Sequence, residues 1–309
     1  MRLLPCLQTI TISLILLSTN VPTTLADADF LDVRTNLTTS RSGKPGDPKD
    51  KYFHESTFHP HYDGRFAAKE VNKEVRLAHL TALMQTFLST MSDIGAETWI
   101  MHGTLLGWWW NGKILPWDSD IDVQVSESTI AFLAKYYNMT EYRYSLPGVK
   151  RGRTYLLEIN PHYIIRDQAD RLNVIDARWI DTENGLFIDV STVRPDDERR
   201  KNGVEGALMS KDKHEYLELD IFPLRDSKFE GIHVKIPFEY ARLLGNEYGS
   251  QALIATEFEH HRFNETTKVW EPVVQQGWHF RREKKREGKI PHGRECRGRL
   301  ELVSQTRAR

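Results

Sequence analysis

Apolar residues recur at three- and four-residue steps from position 67 to position 94, which is the spacing of one face of a helix. Gly95 follows at once, and glycine is the residue that most often ends a helix. The sequence therefore predicts one long amphipathic helix over residues 67–94. A turn at 102–104 then precedes a second, shorter helix, which we predict over residues 105–112.

Shorter segments with alternating apolar residues predict strands around these helices. The segment "TWIM" (98–101) is one, and 121–125 is another, in which every second residue is apolar and faces the core. Ser126 follows the second strand and predicts the N-cap of a third helix, which carries Ile130, Phe132, Leu133 and Tyr136.

Two hairpins are predicted in the second half of the chain. "NVIDARWI" and "GLFIDVSTV" are strands joined by turn-forming residues at 181–185. "YLELDIFPL" and "GIHVKIP" form another strand pair, and a helix follows near 239–245. This mixture of helices and strands indicates an α/β or α+β fold, with a small mixed sheet and flanking helices.

The two ends of the chain differ in composition from the middle. Residues 1–26 combine a positive start, a short apolar stretch and small residues, which is the layout of a signal peptide or an uncleaved membrane anchor. Residues 27–65 are rich in Ser, Thr, Pro, Gly and charge, and predict a flexible arm. The folded domain is then expected over 66–280, and 281–309, with eleven Lys or Arg, predicts a basic disordered tail.

Overall charge is balanced, with 42 Lys and Arg against 43 Asp and Glu, so nothing points to nucleic acid as a partner. Three N-x-[ST] sequons, at Asn36, Asn138 and Asn264, agree with a secretory-pathway location. Cysteine is confined to Cys6 and Cys296, so a cleaved chain would have no internal disulfide. We expect a protein of the Golgi lumen or membrane, or a secreted one.

Three carboxylates stand at every second position directly after a tryptophan-rich turn: Asp118, Asp120 and Asp122. On an extended segment they share one side and repel one another unless a cation lies between them. Because the alternating apolar residues commit this strand to burial, a metal site is favoured over a solvated acidic edge. An EF-hand loop begins in the same way, but it requires Gly at the position of Val123 and Glu at that of Thr129.

A strand, a Gly-Thr turn opening a helix, and an Asp-x-Asp strand together resemble the nucleotidyltransferase fold. The stretch "HGTLLGWWWNGKILPWDSDIDVQV" is similar to the LicD family of bacterial phosphocholine transferases and animal ribitol-phosphate transferases. The resemblance covers roughly residues 97–250. The motif sequence is most similar to the fungal branch of the family, which is linked to mannosylphosphate transfer onto cell-wall mannans.

The resemblance implies Mg²⁺ or Mn²⁺ bound to carboxylates that also take part in catalysis. The expected metal ligands are Asp118, Asp120, Asp122 and Asp189, the last in "LFIDV" on a later strand; Asp120, Asp122 and Asp189 are also expected to be catalytic. Backbone N–H groups at a helix N-terminus favour phosphate. The expected substrate-binding residues are Gly103, Thr104, Lys113 and Trp110. The sequence departs from the family pattern in one respect, since many LicD relatives carry an Arg a few residues beyond the second glycine. Either Lys113 serves instead of that Arg, or the donor is held differently.

The expected activity is transfer of mannose phosphate from GDP-mannose to a hydroxyl of mannan or of an N- or O-linked glycan. Two alternatives remain open: a glycosyltransferase that uses an Asp-x-Asp motif, and a non-catalytic accessory subunit acting with a partner transferase. Among other polar residues, His102 and His214 are candidates for proton transfer, although a hydrogen-bonded packing role is the more common one for such histidines. Asp220 is interpreted as a structural or acceptor-site residue. Lys235 is a candidate for a phosphate contact.

Overall fold

The computed structural model describes residues 23–25, 40–145 and 152–273. Its main sheet has nine strands in that part of the chain. They are β1 (Thr23–Leu25), β2 (Thr98–Ile100), β3 (Asp122–Ser126), β4 (Thr140–Tyr144), β5 (Arg153–Ile159), β6 (Ala177–Asp181), β7 (Phe187–Pro195), β8 (Ala207–Met209) and β9 (Glu215–Leu217). The predicted signal segment, apart from 23–25, and the basic tail lie outside the described residues.

The strand order is β1-β4-β5-β6-β7-β3-β2, with β8 paired to β7 and β9 paired to β8. Neighbouring strands run antiparallel except for β3 and β7, which are parallel. This confirms the predicted mixed sheet. The hairpin predicted across 181–185 is present as β6 and β7.

Two small sheets and six α-helices complete the described part. The strands are β10 (Arg225–Phe229), β11 (Ile232–Ile236), β12 (Glu257–Phe258), β13 (His261–Asn264) and β14 (Val269–Pro272). The helices are α1 (Lys73–Asp93), α2 (His102–Asn111), α3 (Glu127–Tyr136), α4 (Asp197–Lys201), α5 (Glu218–Ile221) and α6 (Tyr240–Tyr248), and short 3₁₀ turns span Pro161–Ile164 and Ser250–Leu253. Within the described ranges, no helix has the length and apolar character that crossing a bilayer requires.

The long predicted helix is α1, which begins six residues later than its apolar pattern suggested. Asn72 caps it by accepting the N–H of Glu74, so the residues before Asn72 lie outside the helix. At the other end Gly95 adopts a positive φ of 72°, as the pattern predicted. α1 packs its apolar face on the sheet, where Phe87 lies against Trp179.

The core of the sheet is built from large buried side chains. Trp179 and Trp99 are fully buried, and the Trp179 ring stacks on that of Tyr155 with 5.5 Å between centroids. Each such side chain contributes about 1.5–3 kcal/mol through removal of its apolar surface from water. This packing stabilises the sheet and therefore keeps β3 and β7, which carry Asp122 and Asp189, in a fixed register with each other.

One predicted hairpin is wrong in its pairing. "YLELDIFPL" is not a continuous strand, because residues 218–221 form α5 and the strand that pairs with β11 is β10. Asp220 accepts the N–H of Leu217 and forms an ion pair with Arg242, which ties it to the start of the helix. Pro223 lacks the N–H that a central strand would need. Asp220 therefore has a structural position.

The segment predicted as a flexible arm packs against the domain over 51–65, whereas most of 40–50 is exposed. Phe53 and Tyr62 are buried, and Tyr62 forms a β-bridge with Leu186. Gly185 is required beneath it, because a Cβ there would stand 2.6 Å from the carbonyl oxygen of Asp63. The composition suggested a linker since turns also use Gly, Pro and Ser, but these turns fold back onto the β6–β7 hairpin.

Candidate functional site

The parallel pair of strands places two of the predicted ligands opposite each other. Asp122, the first residue of β3, and Asp189 on β7 are Cα partners. The N–H of Asp189 also donates to the carbonyl of Ile121 at 3.0 Å. The predicted carboxylate pair from distant parts of the sequence is therefore brought together at one edge of the sheet.

Asp118 and Asp120 precede the strand instead of lying in it, because β3 begins only at Asp122. A turn positions them: the N–H of Asp118 donates to the carbonyl of Leu115, and the Asp118 carboxylate accepts the N–H of Ser119. Asp118 and Asp120 lie within hydrogen-bonding reach of each other. The cluster thus combines a turn and a strand, where the sequence predicted one extended segment.

Burial and mutual repulsion disfavour the charged forms of these acids. Burial, followed by the hydrogen bond and charge of Asp120, raises the pKa of Asp118 to about 9. Burial and the charge of Asp120 also raise the pKa of Asp122 well above its usual range, although His102 opposes the shift. Burial raises the pKa of Asp189 too, against the lowering effect of Arg178. Without a cation, this group of carboxylates tends to hold protons.

The N-terminus of α2 faces the acidic group. A Cβ on Gly103 would stand 3.1 Å from an Asp118 carboxylate oxygen, so glycine is what lets that carboxylate approach the helix. The hydroxyl of Thr104 accepts the N–H of Asp122 at 2.9 Å and so ties the helix to β3. The helix also begins at His102, so the predicted turn at 102–104 is the first turn of α2 itself.

A second cluster adjoins the first and includes Asp212 and Glu247, for which no role was predicted from the sequence. Ligand atoms of His102, Asp212 and His214 lie within 4.8 Å of one another, the one metal-compatible group of this kind among the described residues. His102 Nδ1 contacts Glu247 Oε1 at 2.9 Å, and its Nε2 lies 3.6 Å from Asp212 Oδ2. Asp212 and His214 come from the loop between β8 and β9, and Glu247 comes from α6.

Charge in this second cluster is complementary. Burial alone would lower the pKa of His102, but the Asp212 and Glu247 carboxylates raise it well above 6.5. In turn, His102 and His214 lower the pKa of Asp212 against the effect of burial. Both imidazoles face the Asp212 carboxylate, with His102 Nε2 at 3.6 Å and His214 Nδ1 at 3.1 Å from its oxygens. His102 and His214 therefore form a charged group with Asp212 and Glu247, beyond the packing role that the sequence favoured.

The two clusters would offer different donors to a divalent ion, and only the second meets the 4.8 Å spacing of ligand atoms. The carboxylate oxygens of Asp118, Asp120, Asp122 and Asp189 are the donors that Mg²⁺ and Mn²⁺ prefer. The two imidazoles and one carboxylate of the second cluster suit a transition metal such as Mn²⁺ or Zn²⁺. The alternating Asp212-x-His214 spacing was the only trace of this cluster in the sequence, since Glu247 joins it through the fold alone.

Two further residues contact the acidic group from outside the motif. His61 Nδ1 lies 2.7 Å from the Ser119 hydroxyl, and its Nε2 lies 3.6 Å from Asp120. Arg178 donates from Nε to Asp189 at 2.8 Å. No local pattern marks either residue, because His61 belongs to the segment taken as an arm and Arg178 lies inside a strand.

Trp110 and Lys113 are not brought to the acidic group. The indole N–H of Trp110 donates to the carbonyl of Ala252, and its ring packs against Phe263 and Trp270. Lys113 is exposed beyond the far end of α2, a helix about 15 Å long. The predicted substrate contacts of both residues therefore lack support in the geometry.

Lys235, the remaining candidate for a phosphate contact, lies on β11 and pairs with Asp226 at 3.0 Å. The other two tryptophans of the triplet also use their indole N–H groups internally. Trp108 donates to the Ser227 hydroxyl, and Trp109 donates to the carbonyl of Leu253. The tryptophan triplet is therefore a packing device that fixes α2 against its neighbours.

Comparison with known proteins agrees with this arrangement. Residues 95–239 match the family described as LicD/FKTN/FKRP, nucleotidyltransferase domain. Mannosyltransferase regulator 4 of Saccharomyces cerevisiae is 28% identical over 166 residues, which cover 53% of this chain and 14% of that protein. Mannosyltransferase regulator 14 of the same yeast is 32% identical over 114 residues, which cover 37% of this chain and 12% of that protein.

The chain thus corresponds to a small part of these two long relatives, about a seventh or less of each. The similarity of this chain to two yeast proteins is consistent with the predicted resemblance to the fungal branch of the family. The matched residues include α2, the aspartates of the turn and β3, and Asp189 on β7. Over residues 95–239, the chain therefore matches the nucleotidyltransferase domain of the LicD family.

Proposed function

We propose that the protein is a metal-dependent phosphotransferase that adds mannose phosphate to glycans. One observation carries this proposal: Asp122 and Asp189 lie opposite each other on the adjacent strands β3 and β7, beside the N-terminus of α2. Further support comes from the LicD domain and from the names of the two yeast relatives, which are mannosyltransferase regulators. The donor in the proposal is GDP-mannose, and the acceptor is a mannose hydroxyl of mannan or of an N- or O-linked glycan.

In the proposed reaction, the acceptor oxygen attacks the phosphorus that bears mannose. A new P–O bond forms, the P–O bond to the second phosphate breaks, and GMP leaves. In this proposal a carboxylate takes the proton of the attacking hydroxyl. Asp189 either takes this proton or completes the metal site, and the single hydrogen bond from Arg178 to one of its oxygens supports the first role. The product is a phosphodiester.

Asp118, Asp120, Asp122 and Asp189 would hold the divalent ion in this proposal. When bound, Mg²⁺ or Mn²⁺ supplies positive charge that offsets the negative charge of the phosphates. The chain's own contribution is to orient the diphosphate at the first turn of α2, where unpaired N–H groups and the helix dipole favour anions. Gly103 keeps that turn open to the acidic group.

The proposal extends to location and boundaries. A signal peptide or anchor over 1–26 would direct the protein to the secretory pathway, with the Golgi as the site of action. We also propose that the folded unit starts before residue 66, because Phe53, Tyr62 and His61 of the preceding segment contact the core or the site.

The test is an assay of purified protein with GDP-mannose, a mannose oligosaccharide and Mn²⁺ or Mg²⁺. A product that gains hexose plus phosphate, with release of GMP, supports the proposal. A product that gains hexose alone, with release of GDP, identifies a glycosyltransferase instead. Asp122→Asn, which removes one carboxylate and preserves shape, is the matched inactive control.

A second candidate function rests on the same names: the protein is an accessory regulator of a separate mannosylphosphate transferase. Both yeast relatives are named regulators. The discriminating experiment adds the wild-type protein or the Asp122→Asn variant to cell extracts that contain the transferase. Equal stimulation by both proteins supports the regulator, whereas stimulation by the wild type alone supports catalysis by this chain.

A further inference from the structure

A cavity of about 310 Å³ lies beside the candidate site, on the side of Arg178 and Asp212. Its walls are formed by residues of three stretches, 51–55, 171–175 and 211–213, together with Asn160 and Arg178. Arg178 connects it to the acidic group through Asp189, and Asp212 connects it to the histidine cluster through His102. The cavity is therefore adjacent to both clusters without containing the aspartates of the motif.

The charged residues of the wall are five cations and two carboxylates: Lys51, Arg171, Arg178, Lys211, Lys213, Glu55 and Asp212. Most of the cations have a partner. Lys51 pairs with Glu55, and the fully buried Lys211 pairs with Asp176 at 2.8 Å. Arg171 and Lys213 are exposed and make no ion pair within the described residues. Two positive charges at the mouth are thus left for a ligand.

Arg178 adds a feature inside the cavity that points to an anion. Its side chain is 3% exposed, and its Nη1 has no hydrogen-bond partner among the described residues. Its guanidinium lies over the Phe187 ring at 3.7 Å from the centroid, and over Phe53 at 4.7 Å. The two rings and Asp189 fix the plane of the guanidinium. Because a buried N–H without a partner costs free energy, the fixed Nη1 favours a ligand that can accept its hydrogen bond.

We propose that this cavity binds the phosphate-bearing part of a nucleotide, with Arg178 joining the ligand to Asp189 and with Arg171 and Lys213 at the mouth. A planar guanidinium suits phosphate because it donates parallel hydrogen bonds. The volume is at the lower end of the range for small-molecule sites, which fits a nucleotide and is too small for a polysaccharide chain. Leu172, 40% exposed, adds an apolar surface at the rim for a base.

This inference rests on the proposed function in one respect, since it gives the nucleotide of the donor a position next to the acidic group. The N-terminal segment is part of that position, because Lys51, Phe53 and Glu55 form one wall. These three residues lie outside the range that matches the LicD family. Nucleotide binding would therefore depend on residues that precede the family domain.

Calorimetric titration of the full chain with GDP tests the inference. The double variant Arg171→Glu with Lys213→Glu reverses both unpaired charges at exposed positions, and we expect at least about a tenfold loss of GDP affinity. The matched control, Lys69→Glu with Lys73→Glu, makes the same charge change at exposed positions outside the cavity and should leave the affinity unchanged. Arg178→Lys, which keeps the charge and loses the planar fork, should also weaken GDP, with melting temperature as the check on folding.

Unchanged GDP affinity in the Arg171/Lys213 variant, or an equal loss in the control, would overturn the inference. Guanosine that binds as tightly as GDP would also overturn it, since the phosphate is the group recognised. Because binding is measured without an acceptor, the two proposals separate. If GDP binds through these residues but no transfer occurs, the inference about the cavity stands and the proposed transferase function fails. If transfer occurs and the double variant binds GDP as tightly as the wild type, the transferase function stands and the inference about the cavity fails.

Discussion

Asp122 and Asp189 lie opposite each other on β3 and β7, the one parallel pair in the described sheet. Residues from separate parts of the chain meet there because parallel neighbours must be joined by a long connection. That connection includes α3, β4, β5 and β6, so the pair exists only through the tertiary arrangement of the sheet. The site is thus a product of the fold rather than of the local motif.

Removing the Asp122 carboxylate should abolish transfer while sparing the fold. In the metal-free protein, burial and the charge of Asp120 make ionised Asp122 unfavourable, so Asp122→Asn relieves repulsion. We expect transfer to fall by at least about 100-fold, as when a charge-stabilising group is lost. The metal-free melting temperature should stay equal or rise. Steady-state kinetics and a melting curve measure both, and a variant that keeps wild-type turnover contradicts the assignment.

The stability of the metal-free protein should fall as the pH rises. The pKa of Asp118 is raised to about 9 in the folded state, so unfolding releases a proton at intermediate pH, and the free energy of unfolding decreases with pH. His102 acts in the same direction, because its pKa is also raised and its stabilisation is lost as the pH rises through that value. Chemical denaturation in a chelator at about pH 5 and about pH 8 checks this.

Excess Mn²⁺ should reduce this pH dependence, since a cation replaces the bound protons and metal binding releases them. Asp118→Asn is the matched variant and should flatten the profile in the chelator. A free energy of unfolding that is constant or increases over that interval would show that the acids are not held close together in the protein.

The histidine cluster should bind a transition metal by itself. Co²⁺ absorbs visible light when imidazole and carboxylate ligands surround it, so a Co²⁺ spectrum reports on His102, Asp212 and His214. We expect His214→Ala to weaken Co²⁺ by at least about tenfold, and His233→Ala, at an exposed histidine of β11, to leave the affinity unchanged. A wild-type spectrum identical to that of aqueous Co²⁺ would refute the site.

His61 should support catalysis from outside the family domain. It contacts Ser119 and Asp120, so His61→Ala is expected to lower kcat by about tenfold or more while the melting temperature changes little. His54→Ala provides a control in the same segment, because His54 pairs with Asp47, away from the acidic turn. Equal kinetic effects of the two substitutions would assign the loss to the segment and not to His61.

Tyr62 should be required for stability, as a core residue of the domain. Its side chain is fully buried, and its hydroxyl accepts the N–H of Val71 at 3.0 Å. Tyr62→Ala should cost about 3–5 kcal/mol of unfolding free energy, as for other large buried aromatic residues. Tyr136→Ala, at a residue that is 57% exposed, is the control for loss of a tyrosine. Denaturant titration measures both.

The sequence predicted the parts of the fold in which one periodic pattern decides the structure. α1, β2, β3 and the β6–β7 hairpin follow from apolar spacing and turn residues. The α5 segment was misassigned because its apolar alternation imitates a strand, while the Asp220 contact with Leu217 N–H stabilises a helical turn.

The candidate site was predicted in part, for a similar reason. The Asp118–Asp122 spacing is local and visible, and Asp189 stands out on an apolar strand. By contrast, His102, Asp212 and Glu247 meet only through α2, a loop and α6, so no short pattern contains them. Arg178 and His61 were also missed, since a lone cation in a strand and a histidine in a Pro-rich segment carry no chemical signature.

The aromatic packing around Trp110 fixes one end of α2, so a small tilt of the helix would displace its other end. One end of this helix is clamped by Phe263 and Trp270, and the other end presents Gly103 to Asp118. A tilt of about 4° about the clamp would displace the far end of a helix about 15 Å long by about 1 Å, an error that can cost an enzyme about 100-fold in rate. Conservative substitutions among these aromatic residues should therefore shift the N-terminus of α2 relative to the acidic group, although they contact none of its residues.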